Sequence, residues 1–303
     1  DDVPDDFPVL GCSLREAIDV ANAGLLGTPY GCTVSQSGSG FPITYRIILP
    51  NPKGGYTYTL TGAAGEDGNA SGDLDITASV TIVGHGAGSS IIDGGGIDRV
   101  FHVCPGAGGC AYSVLFTGVT IRNGNITGIG AGVLNQGGVV TVDSSIVSGN
   151  DVSGIVAWGN GGGICSLSGL LIVQDSTISN NTATSDGGGI YNSGTLYVRN
   201  GSMVIDNEAT SDGGGVCNED GTVTVDDSRI DDNTAVDGGG ISSDDGTLTV
   251  QNGSIIGYNE ADRGGGIFNE ADNTTTIDGS TIRSNDVALY GGGIHNSGGT
   301  LTV

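Results

Sequence analysis

The sequence predicts an all-β fold, a right-handed parallel β-helix of about 26 residues per coil with a short N-terminal capping helix. Three observations predict it. Triple glycines begin at Gly161, Gly187, Gly213, Gly238, Gly264 and Gly291, an almost even spacing. A second signature, Ser-x-(Ile/Val)-x-x-Asn-x-(Ala/Val), recurs without a slip and carries Ile178, Val204, Ile230, Ile256 and Ile282 with Asn181, Asn207, Asn233, Asn259 and Asn285. Between the two lie runs such as Thr195-Leu-Tyr-Val and Thr222-Val-Thr-Val, whose alternation has the two-residue period of a half-buried strand. Turn residues punctuate each copy about three times, which predicts about three short strands per copy, and a propeller blade needs about 40 residues or more. Stacking such copies as coils buries what one coil cannot.

Residues 1–40 form an N-terminal extension and cap. Leu14, Ala17, Ile18 and Ala21 fall on one helical stripe, and Ser13 with Glu16 has the spacing of a capping box. The stripe needs a surface, and the first coil of a β-helix offers one whose unpaired strand edge must be covered. Residues 41–129 hold irregular first coils, and residues 130–303 the regular repeats. The copy beginning at Gly130 is about five residues too long, and its extra segment carries Trp158, the only tryptophan. About ten coils, near 48 Å in length, are expected at about 4.8 Å per coil.

Stacked coils imply columns. Ile164, Ile190, Val216, Ile241, Ile267 and Ile294 are expected inside, as are Val173, Val198, Val225, Val250, Ile277 and Val303. The 181-to-285 asparagines suit one ladder of side-chain amides. Asn192, Asn218, Asn269 and Asn296 suit another, with Ser166 and Ser243 expected to interrupt it.

Six cysteines stand at 12, 32, 104, 110, 165 and 217. None has zinc-site spacing. Cys12 with Cys32, and Cys104 with Cys110, are expected disulfides of an oxidising compartment. Cys165 and Cys217 occupy equivalent positions two coils apart, about 9.6 Å at about 4.8 Å per step, beyond disulfide reach, and are expected to remain unpaired with each other.

The formal charge of −25, with Lys53 the only lysine, disfavours nucleic acid and anionic lipid as partners. No apolar stretch is long enough to span a bilayer, and no charged-then-apolar leader opens the sequence.

The segment Cys12-Ser-Leu-Arg-Glu-Ala with the following Ile-Asp-Val-Ala-Asn-Ala resembles the N-terminal motif of a bacterial family of exported proteins known by the letters CSLREA. The run from Ser79 to Asp93, then Arg99 to Val103, and the repeated Gly-Gly-Gly-Ile and Ser-x-Ile-x-x-Asn elements are similar to the same family. They also resemble, more distantly, the repeats of chlamydial polymorphic outer-membrane proteins. The resemblance implies a secreted or surface-displayed β-helix without assigned catalytic residues.

Residue patterns that could carry chemistry are sparse. Gly84-His85-Gly86 matches a fragment of the polygalacturonase signature, but the accompanying aspartate and basic segments are missing and a turn is expected. Asp226-Asp227 and Asp231-Asp232 are neighbours that point to opposite faces of a strand, so they are expected on the solvated surface. His102 and His295 have no partner at ligand spacing, and no Gly-x-Ser-x-Gly elbow occurs. No catalytic residues are assigned. Asp186, Asp212 and Asp237 precede successive triple glycines, where stacked carboxylates repel by roughly 0.9 kcal/mol even at water's dielectric. They are the candidate metal ligands, for calcium; Arg263 and Tyr290 replace the acid in later copies. Cys165, Tyr191, Cys217, Ser242, Phe268 and His295 follow the inward aliphatic residue and are expected to form an outward file. Its Tyr191, Phe268 and His295, with Trp158, are the candidate binding surface for sugar rings or protein.

The expectation is a non-enzymatic structural or adhesive protein of the cell surface or extracellular matrix. Its expected partners are a surface polysaccharide or protein, or copies joined head to tail into a filament through the apolar edge of Ile294, Leu301 and Val303. The alternative is a carbohydrate-active enzyme or carbohydrate-binding β-helix sited at the Trp158 insertion or the Cys104 loop.

Overall fold

The computed structural model describes residues 12–25, 35–37, 44–50, 54–65, 68–106, 110–154 and 158–303. The chain winds as a parallel β-solenoid whose coils pair in register, Ile190 with Val216 with Ile241 with Ile267 with Ile294. One face is a nine-stranded sheet running from Tyr56–Thr59 to Thr281–Arg283, which gives nine coils among the described residues rather than ten. The shortfall lies in oversized coils. Tyr45 pairs with Val80 and Val80 with Val114 near the cap, Val133 pairs with Phe101 on one side and Ile164 on the other, and each of these coils takes several residues more than the regular one from Ile190 to Val216.

A regular coil has four strands, not three, as in Ile190–Asn192, Thr195–Arg199, Met203–Ile205 and Glu208–Ala209. The fourth is the two residues after the ladder asparagine. They are too short to show a period of two in the sequence, yet they pair with Thr182–Ala183 of the coil before.

The core is a stack of aliphatic columns. Ile164, Ile190, Val216, Ile241 and Ile267 are fully buried, as are Ile178, Val204, Ile230 and Ile256. The corner between the fourth strand and the next first strand is the triple glycine. Gly187 has φ +67°, and a Cβ there would meet the backbone of Ile190 and Tyr191 at 2.6–2.7 Å. Glycine is needed for the turn and for the close approach alike.

The asparagine ladder runs unbroken from Asn150 to Asn285. Asn181 Nδ2 donates to Asn207 Oδ1 at 2.9 Å and to the Val147 carbonyl at 3.1 Å, and the Asn181 backbone N–H donates to the same Asn207 oxygen at 3.1 Å. Each amide thereby ties three coils together. Of the serines expected to interrupt the second ladder, Ser243 does not: Asn218 donates to its Oγ at 3.0 Å, and that hydroxyl donates onward to Asn273 at 3.0 Å. A hydroxyl both accepts and donates, so it relays the chain of bonds.

The cap helix α1 spans Leu14–Asn22, with the capping box of Ser13 and Glu16 in place and Leu14, Ala17, Ile18, Val20 and Ala21 buried. Its packing completes the edge of the strand Leu74–Ile76. Asn22 Nδ2 donates to the Asp75 carbonyl at 2.7 Å while its Oδ1 accepts from the Thr77 N–H at 2.8 Å, the pair of bonds a neighbouring strand would make. Arg15 is buried and donates to the carbonyls of Asp73 and Gly72 at 2.7 and 2.8 Å. The strand Thr44–Ile48 is covered on its outer edge by Ser35–Ser37, running antiparallel.

Cys104 and Cys110 form the expected disulfide. Cys12 is disulfide-bonded, and its expected partner Cys32 lies outside the described residues. Cys165 and Cys217 are free and buried, with Tyr191 between them in register. Asp231 departs from its expected surface place: it is 1% exposed and ion-paired with Arg229, packed beside Gly257 of the next coil. His85 serves a turn, its Nε2 within 2.8 Å of the Leu49 carbonyl.

Candidate functional site

The file expected to project outward is instead covered. Cys165 is fully buried, Phe268 is 2% exposed, and Tyr191 and Cys217 are each 7% exposed. Leu134, Cys165, Tyr191 and Cys217 form a second apolar cluster, separate from the main core, with Ile129 and Leu167 packed against it. The cause is the glycine corner. A Cβ on Gly161 would come within 2.7 Å of Cys165, and one on Gly291 within 2.8 Å of His295, so the turn backbone lies against the column. Alternation along a strand assigns a side chain to the outer face but cannot show what the next turn lays over it.

His295 is half-buried and stacks on Phe268, rings 5.4 Å apart and 2° from parallel. Tyr290, 61% exposed, lies 5.9 Å from His295, and the Arg263 guanidinium sits 4.9 Å over the Phe268 ring. Trp158 is 75% exposed. It belongs to the insertion that enters this side of the solenoid, since Asn160 Oδ1 accepts from the Asp186 N–H at 3.3 Å.

Two acidic rows flank the covered column. Asp186, Asp212 and Asp237 form the first: the Asp212 N–H donates to Asp186 Oδ1 at 3.2 Å, and Asp212 and Asp237 are bridged in register. Arg263 ends the row, with its Nε 2.7 Å from Asp237 Oδ1 and its NH2 paired to the other oxygen. Glu219, Asp244 and Glu270 form the second row, each two residues after the column residue, with Glu219 and Asp244 in register. The Tyr191 hydroxyl reaches one coil on to donate to Glu219. Sequence reasoning misses the second row because Asp245 and Asp220 stand beside it, and only the pairing shows which acids share the edge.

The rows feel each other. Burial pushes Asp212 up to about 7, helped by Asp186, Asp237 and Glu270 and opposed by Arg263. Glu270 is raised by burial, then by Asp244 and Asp237, and Asp244 by burial, then by Asp245 and Glu219. The Cys217 thiol is pushed well up by burial and by Asp186 and Asp212, which keeps it protonated and unreactive. The seam is a strip of negative potential over an apolar floor, suited chemically to cations and to partners with cationic groups.

Fold and seam together define an acidic parallel β-solenoid repeat protein. Residues 175–193 match the Chlamydia polymorphic membrane protein repeat. That stretch holds the ladder residue Asn181, the acid Asp186, the glycine corner and Tyr191, one full pass from the core to the seam. No curated protein and no solved structure matches the chain. The repeat associates the chain with surface or membrane-associated proteins. No helix among the described residues is long and apolar enough to cross a membrane.

Proposed function

We propose that the chain is an exported, non-enzymatic structural or adhesive β-helix displayed at the cell surface or in the extracellular matrix. The observation that carries this reading is the match of residues 175–193 to a repeat of polymorphic membrane proteins. The Cys104–Cys110 disulfide supports an oxidising compartment, and the resemblance of Cys12–Ala23 to the CSLREA motif supports export. The partners are a surface polysaccharide, another surface protein or a further copy of the chain in a filament. Calcium at the Asp186–Asp212 end of the acidic row, short of the Asp237–Arg263 pair, belongs to the same proposal. Protease treatment of intact cells tests the location: loss of the full-length chain while a cytoplasmic marker survives is expected, and full protection in cells whose surface proteins are cleaved overturns the reading.

The exposed Trp158 favours a second reading, a carbohydrate-binding or carbohydrate-active β-helix, because an indole ring presented to solvent stacks on sugar faces. Incubation with acidic polysaccharides separates the two. Release of reducing or unsaturated ends would replace the structural role with an enzymatic one.

A further inference from the structure

The column that carries Tyr191 and Phe268 extends toward the cap, where its members are Asp75 and His102. Asp73, just before the strand Leu74–Ile76, and Asp75 within it lie two residues apart, with Leu74 and Ile76 buried in the core between and beyond them. In-register pairing of Asp75 with His102 delivers the imidazole to the same place. No sequence motif marks this, because the ligands are one coil of chain apart. Asp73 and Asp75 are each 1% exposed and His102 is 4% exposed. One ligand atom from each lies within 4.8 Å of the other two.

We propose that Asp73, Asp75 and His102 form a binding site for a divalent transition-metal ion of the zinc class. His102 Nδ1 and Asp75 Oδ1 are 3.3 Å apart, about the edge of a tetrahedron of ligands each about 2.0–2.1 Å from zinc. Asp75 is oriented from behind, its Oδ2 accepting from the Asn69 N–H at 2.8 Å, as outer partners of metal ligands do. Asp73 Oδ1 is buried with no hydrogen-bond partner among the described residues, a cost that a bound cation removes. One nitrogen and two carboxylate oxygens suit zinc or manganese better than calcium, which takes six to eight oxygens. A cavity of about 350 Å³ on the cap side, lined by Asp19, Asn22, Leu25 and Thr77, reaches Asp75.

Arg99 now holds the place of the ion. Its NH1 is 3.0 Å from Asp73 Oδ2 and 3.3 Å from His102 Nδ1, and its side chain is 13% exposed. Metal and guanidinium therefore compete for the same carboxylate, which gives the proposal a signature that a structural ion pair lacks. Titration calorimetry of the chelator-treated chain with zinc chloride is expected to show one ion per chain. Arg99→Gln should tighten zinc at least several-fold by removing the competitor. Asp73→Asn and His102→Gln should weaken it at least tenfold, with circular dichroism confirming that each variant is folded. Should a ligand variant fail to fold, the Arg99→Gln comparison alone decides. Absence of stoichiometric zinc in the wild type, unchanged affinity in a folded His102→Gln chain, or weaker binding by Arg99→Gln each overturns the site.

Discussion

Asn207 Nδ2 donates to Asn233 Oδ1 at 3.0 Å across two coils, while Asn207 Oδ1 takes both the side-chain and backbone N–H of Asn181. The amide is 1% exposed, so none of these bonds can be replaced by bulk water. Asn207→Ala strands two donors of Asn181, and at about 1–3 kcal/mol for each buried unsatisfied group it is expected to cost several kcal/mol. Asn285→Ala, at the less buried end of the ladder, should cost clearly less. Denaturant unfolding of both variants measures the difference.

Stability should fall as the pH rises through the neutral range. Asp212 has its folded value raised to about 7 from an ordinary 3.8. Its contribution is therefore fully present below about pH 4 and is lost as the pH climbs through about 7. The directions for Asp244 and Glu270 add to it. A melting temperature higher at pH 5 than at pH 8 is expected, with a smaller difference in Asp212→Asn. An equal difference in that variant would show that the seam does not set the trend.

Millimolar calcium should raise the melting temperature more than sodium chloride of the same ionic strength, because ligation adds to screening between Asp186 and Asp212. Asp186→Asn should remove the excess. Identical responses to the two salts would leave a screened acidic surface and no site.

Two thiols should be silent in the folded chain. Cys165 and Cys217 are buried and their thiols are pushed up, so a thiol reagent should titrate neither until denaturant is added, and then both. Rapid labelling of either in the folded protein would contradict the covered column.

The regular coils are legible in the sequence because Ile178, Asn181 and Gly187 belong to columns that recur at nearly fixed intervals, and in a solenoid a fixed interval is a contact. The cap helix is legible from Ser13, Glu16 and the stripe at Leu14. What escapes is what depends on three-dimensional closure. Alternation assigns Tyr191 and Phe268 to the right face of the strand, yet the glycine turn lies across that face. His102 lacks a partner at the close spacing of familiar ligand motifs, although Asp75 stands one coil before it and pairs with it directly. The irregular length of the coil that follows, from Phe101 to Val133, hides the column from a search for even spacing.

Tyr191 separates two thiols that its own coil keeps apart, which makes the parity of the coil count a redox parameter. Excising residues 190–215 joins Gly189 to Val216 and preserves every ladder type, because the flanking coils present the same asparagine, isoleucine and glycine positions. The shortened solenoid would set Cys165 beside Cys217 at about 4.8 Å, inside the span of about 4.4–6.8 Å that a disulfide bridges. Under oxidising conditions the excised chain should lose both free thiols and gain an intrachain crosslink along the seam. The tyrosine thus acts as an insulating spacer, and a change in length of one coil turns a stack of inert sulfurs into a bolt.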